Sequence, residues 1–136
     1  EKVKETLVVV SANKIDKEVQ NLINYIEYSS EYLIGIVEDK ASIIDIDEII
    51  RVYIEDRKTF VVTLKDTYVV KKKLYEVESM VTRNFIKISQ SEIANIKFIK
   101  NLDFSNTGTI VIKYKNSDIS YVSRRMIKEF KLKLGI

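Results

Sequence analysis

Short runs of β-branched and aliphatic residues, cut apart by polar breaks, fill most of the sequence from Tyr32 onward. Ile49 to Ile54, Thr59 to Leu64 and Thr67 to Lys71 are three such runs. Glu55-Asp56-Arg57-Lys58 and Lys65-Asp66 separate them. Runs this short form strands, whereas an amphipathic helix needs apolar residues three and four apart. Two strands joined by so few residues pair as a hairpin, although the Lys65-Asp66 turn lacks the usual glycine. Tyr32 to Glu38, Ala41 to Ile46, Thr109 to Tyr114 and Ile119 to Val122 read in the same way. Asp39-Lys40, Asp47-Glu48, Ser105-Asn106-Thr107-Gly108 and Lys115-Asn116-Ser117-Asp118 are the breaks around them.

Helical spacing occurs in few places. Lys72 to Val81 puts Leu74, Val77 and Val81 on one face. After Ser123, a natural N-cap, Ile127, Phe130 and Leu134 form a stripe. Near the start, Thr6 to Ser11 reads as a strand and Asn13 as the cap of a helix reaching about residue 29, carried by Ile15, Val19, Leu22, Ile23 and Ile26. The expected fold class is mainly β with a few short helices, α+β overall. A strand and an amphipathic helix precede the β-rich module.

The chain of 136 residues suits one core. It has no Cys and no His, which removes thiolate nucleophiles, thiolate metal sites, the usual general base and the commonest metal ligand. Three glycines, at 35, 108 and 135, cannot make a phosphate-cradling loop. We expect no enzyme activity, no cofactor, no metal and no small-molecule substrate. The adjacent Asp45, Asp47 and Glu48 could hold a metal, but Asp47 fits better as a strand-end cap. No run approaches a membrane span and no signal-peptide pattern opens the chain, so a cytoplasmic location is expected.

Charge is unevenly placed. Residues 1–56 hold 6 Lys and Arg against 13 Asp and Glu, and residues 83–136 hold 11 against 4. A basic C-terminal half behind an acidic N-terminal third is consistent with a polyanion-binding face, or with a lysine-rich solvated surface. Within the basic half, Phe85-Ile86-Lys87-Ile88 begins as a strand and breaks into Ser89-Gln90-Ser91 before Glu92 to Asn95. That segment is either a turn presenting contact residues or one helical turn capped by Ser91 with Glu92 inside it. A second strand-like run, Ile96 to Phe104, follows.

Three motifs now stand in order. The first is Ile46-Asp47-Glu48-Ile49-Ile50-Arg51-Val52-Tyr53-Ile54-Glu55, followed by a basic loop and a hairpin. The second is the strand ending in Ser89-Gln90-Ser91, with Asn95 after it. The third is the strand running into Ser123-Arg124-Arg125. This order resembles the LytTR DNA-binding domain, the output module of many bacterial response regulators, over residues 44–136. The preceding residues 1–43 do not look like a phosphoreceiver domain. The whole resembles small LytTR regulators in which a strand and a helix precede the DNA-binding module.

The resemblance implies loops placed into successive major grooves of double-stranded DNA, not a recognition helix. It puts Lys58, Gln90 and Arg124 at base-contacting sites. Arg57, Lys87, Ser91, Arg125 and Lys128 then fall to phosphate contact. The first two base sites often carry His and Asn in the family, so the sequence preferred here is open. The resemblance also implies a homodimer on paired sites and control by a membrane-protein regulator.

The residue chemistry agrees. Arg can pair with guanine O6 and N7, Gln with adenine N6 and N7, and Lys with guanine or phosphate. An Arg at a helix N-terminus faces the positive end of the dipole, a cost that an external anion would offset. The alternative is a protein-interaction module docking a partner through its acidic N-terminal third.

Overall fold

The computed structural model describes residues 17, 18, 21, 32–105 and 108–136. The chain divides into two compact units, Glu1–Ser30 and Glu31–Ile136. Of the first, Lys17, Glu18 and Asn21 are helical, as the apolar spacing predicts. The rest of the predicted N-terminal strand and helix lies outside the described residues.

The second unit is mostly β. Strands β1 (Tyr32–Val37), β2 (Lys40–Asp45), β3 (Ile49–Glu55), β4 (Lys58–Thr63) and β5 (Thr67–Val70) lead to helix α1 (Leu74–Met80). Strands β6 (Phe85–Ser89), β7 (Glu92–Asn95), β8 (Ile99–Asp103), β9 (Ile110–Tyr114) and β10 (Ile119–Val122) lead to helix α2 (Ile127–Leu134). Seven strands form one sheet in the order β2-β1-β5-β4-β3-β7-β6, and β10-β9-β8 form a second. All pairings are antiparallel.

Alternation sends neighbouring residues of the large sheet to opposite faces, and each face has its own core. Val52, Val61 and Ile93 join Leu74 and Val77 of α1 on one side. Ile50, Val62, Ile88 and Ala94 join Ile110, Ile112 and Tyr114 of β9, Val122 of β10 and Phe130 of α2 on the other. Burying each such aliphatic side chain stabilises the fold by about 1.5–3 kcal/mol. Gly35 is required by close approach, because a Cβ there would lie 2.4 Å from Ile44 Cδ1 and 2.7 Å from Tyr68 Cβ.

Four local expectations are corrected. Glu92 does not sit in a capped helical turn. Residues Glu92–Asn95 are strand β7, paired with β3 and β6, because Ile93 and Ala94 are needed in the two cores. The run after Asn95 starts as a 3-10 turn, Ile96–Phe98, before β8. The Asn95 side chain accepts from the Lys97 N–H and donates to the Ile49 carbonyl at 2.7 Å. The strand-end cap is Asp45, not Asp47. Asp45 Oδ1 accepts from the Asp47 N–H and starts the matching 3-10 turn Ile46–Glu48. Ser123 makes no side-chain cap: a 3-10 turn, Arg124–Met126, begins there and α2 follows it, with the Met126 N–H on the Ser123 carbonyl. At the glycine-free turn after β4, the Thr63 hydroxyl accepts from the Lys65 and Asp66 N–H groups. Among the described residues no helix is long and apolar enough to cross a membrane.

Candidate nucleic-acid interface

The β3–β4 hairpin closes at Glu55 opposite Lys58, leaving Asp56 and Arg57 as its turn. Their φ angles are 52° and 66°, the sign pattern of a type I′ turn built without glycine. Arg57 is thereby held at the tip, exposed. Lys58 is not in the loop, as the sequence suggests, but is the first residue of β4. It is exposed and alternates with the buried Thr59, so it projects toward the sheet face that carries Val62.

The β6–β7 hairpin closes at Ser89 opposite Glu92, so Gln90 and Ser91 are its turn. Ser89 Oγ accepts from the Ser91 N–H at 3.2 Å, and the Ser91 carbonyl accepts from the Ile54 N–H at 2.9 Å. Gln90 and Ser91 are exposed. The ladder slips between Lys87 and Ser89, and the carbonyl of the intervening Ile88 accepts from the Ser123 N–H at 2.8 Å. The bulge thus anchors the third segment to the second.

Arg124 and Arg125 are exposed in the 3-10 turn that follows, and Lys128 is exposed on α2. The Arg124 guanidinium packs over Gly108, where an added Cβ would lie 2.7 Å from its Nε. Gly108 has φ 84°. The sequence marks Gly108 only as a turn residue; its role as the floor under Arg124 carries no local signal.

Arg57, Lys87 and Gln90 converge on one groove of about 490 Å³, with Lys73 and Tyr75 of the α1 segment and Ile54 also lining it. A second hollow of about 250 Å³ continues from Lys87 past Arg83 to Lys133. The sequence reading missed Lys73, Arg83 and Lys133, whose only signal was the basic charge of the later segments. Neither groove includes Lys58, Arg124, Arg125 or Lys128. Among the described residues, the side chains of Arg57, Lys58, Lys87, Gln90, Arg124, Arg125 and Lys128 make no hydrogen bond or ion pair.

Arg51 is the contrast. Its Nη1 lies 3.0 Å from Glu92 Oε2 and its Nε 3.0 Å from Asp118 Oδ2, and its guanidinium sits 4.5 Å above the Tyr53 ring. Burial works against its charge. The Asp118 hydrogen bond and the Glu92 and Asp118 charges outweigh that, so the guanidinium is held above its ordinary range. The Ser120 hydroxyl donates to the same Glu92 oxygen. The Tyr114 hydroxyl is buried and meets no partner at hydrogen-bond geometry. Burial pushes the Tyr114 phenol well above the tyrosine range, opposed by the nearby Ser120 hydroxyl. Exposed Asp103 is shifted the other way, because the Ser105 hydroxyl and N–H both donate to it.

Two relatives from Staphylococcus aureus, strains MRSA252 and N315, are each named an uncharacterized HTH-type transcriptional regulator. Each is 30% identical over 134 residues, covering 97% of this chain and 91% of the relative. A solved LytTr DNA-binding domain from Bacillus cereus superimposes with a TM-score of 0.76 at 22% identity. It covers 79% of this chain and 100% of that domain. Among the described residues there is no helix-turn-helix, since five strands separate α1 from α2. The family model of the LytTr DNA-binding domain matches residues 39–135, and the chain belongs to that family.

Proposed function

We propose that this chain regulates transcription by binding double-stranded DNA sequence-specifically, with its loops in successive major grooves. The observation that carries the reading is the display of cationic and amide side chains on two hairpin turns and one helix start, without internal partners among the described residues. Unpaired guanidinium and ammonium groups gathered on a rigid scaffold are suited to a polyanion. In this reading Lys58, Gln90 and Arg124 contact bases. Arg57, Lys87, Ser91, Arg125 and Lys128 hold phosphates and set register.

Residues 44–136 carry these contacts, β1 and the start of β2 belong to the same large sheet, and the N-terminal strand and helix expected ahead of β1 serve assembly. The protein acts in the cytoplasm as a homodimer on paired sites, under a membrane-protein regulator, and catalyses no reaction. A gel-shift titration tests the central claim. Duplexes selected from a randomised pool should bind in preference to scrambled ones, and binding to both should weaken as salt rises. Failure to enrich any duplex would sink the reading.

A further inference from the structure

The two turns proposed to read bases are joined by a compact polar network. Glu92 closes the Gln90–Ser91 turn, and its carboxylate receives Arg51 Nη1 at 3.0 Å and the Ser120 hydroxyl. Arg51 Nε reaches Asp118 at 3.0 Å. Asp118 immediately precedes β10, Ser120 lies within it, and β10 runs directly into Ser123 and Arg124. The network therefore spans β3 and β7 of the large sheet and β10 of the small one, next to the Ser123–Ile88 backbone bond.

Apolar packing alone would hold these sheets together, because hydrophobic attraction is strong but has no direction. An apolar filling of similar volume often stabilises a fold as well as a part-buried ion pair does. What directional, charge-assisted hydrogen bonds add is geometry. The side chains of Arg51 and Glu92 are 17% and 16% exposed, so solvent has little room to rearrange them.

We infer that Arg51, Glu92, Asp118 and Ser120 are positioning residues that fix the separation and angle between Gln90 and Arg124. They would thereby fix the number of base pairs between the two DNA segments that those side chains read. The inference rests on the DNA-binding reading above. One added base pair moves the second segment by about 3.4 Å along the duplex and by roughly a tenth of a turn. A reader with a fixed span loses contact under that change, and a loosened one follows it.

The test uses the full chain and a duplex that the wild-type protein selects from a randomised pool. Altered duplexes carry one base pair inserted or removed between the two contacted segments. Wild type should bind these about tenfold or more weakly than the selected duplex. Glu92→Ala should shrink that ratio toward one, and Glu92→Gln, which keeps an acceptor for Ser120, should restore part of it. Should Glu92→Ala fail to fold, Ser120→Ala and Asp118→Asn carry the test and should also shrink the ratio. Binding to random duplex and thermal melts are measured beside each variant.

Equal weakening on selected and altered duplexes, with the ratio kept, would reduce the network to a stability role and overturn the inference. So would a wild type that selects a duplex but is indifferent to its spacing. A wild type that selects no duplex overturns the DNA-binding reading itself.

Discussion

Arg57 holds a backbone conformation that costs a non-glycine residue about 1–2 kcal/mol, at φ 66°. Strain kept at a tip that presents a cation is the pattern of a site that trades stability for function. Arg57→Gly should raise stability by about 0.5–1 kcal/mol, the strain relieved less the extra unfolded-state entropy of glycine. It should also weaken binding to cognate and random duplexes alike, as loss of a phosphate contact does. Chemical denaturation and paired titrations would show both, and a stability loss would refute the strain argument. Arg124→Ala should behave differently. A bidentate contact to guanine discriminates by about 1–3 kcal/mol, so cognate affinity should drop roughly ten- to a hundredfold with little change on random duplex. The melting temperature should hardly move, since Arg124 is exposed. Equal losses on both duplexes would make Arg124 a phosphate contact.

The turn elements were the legible part of the sequence, and the reasons are local. A polar break between β-branched runs marks a connection wherever it falls, so Arg57 reads as part of a charged loop. Ser89-Gln90-Ser91 reads as a contact-presenting turn or as one capped helical turn, and only the pairing of β7 decides for the hairpin. Face and partnership were not legible. Lys58 lies in a strand because the type I′ turn takes only Asp56 and Arg57. Arg51 and Arg124 look alike in sequence. The acids that neutralise Arg51 are 41 and 67 residues away, and only the sheet order brings them near.

The same limit hid the packing of Arg124 over Gly108 and the place of Lys73 at the groove edge. Gly108→Ala should cost about 1 kcal/mol for its positive φ. It should also lower cognate affinity, because the Arg124 guanidinium must leave its place. A variant melting earlier but binding normally would show that this packing is incidental. Lys73→Ala should lower the salt dependence of binding by about one unit of log–log slope if Lys73 neutralises a phosphate from the groove edge.

The second unit is held by two cores on opposite faces of one sheet, and the second core encloses Tyr114. The folded state keeps this phenol neutral well above the tyrosine range. Its stabilising contribution is complete below the unfolded pKa of about 10 and is lost as pH rises beyond that, because the unfolded chain then releases a proton that the folded one retains. Stability should therefore decline above about pH 10, and Tyr114→Phe should flatten that decline. An unchanged slope in Tyr114→Phe would exclude this phenol as the cause. The chain has 8 tyrosines and no tryptophan, so its near-ultraviolet absorbance belongs largely to phenols. An alkaline jump can therefore be followed by absorbance. The Tyr114 fraction of the tyrosinate signal should arrive only as molecules unfold, giving the protein a built-in optical clock for opening of its second core.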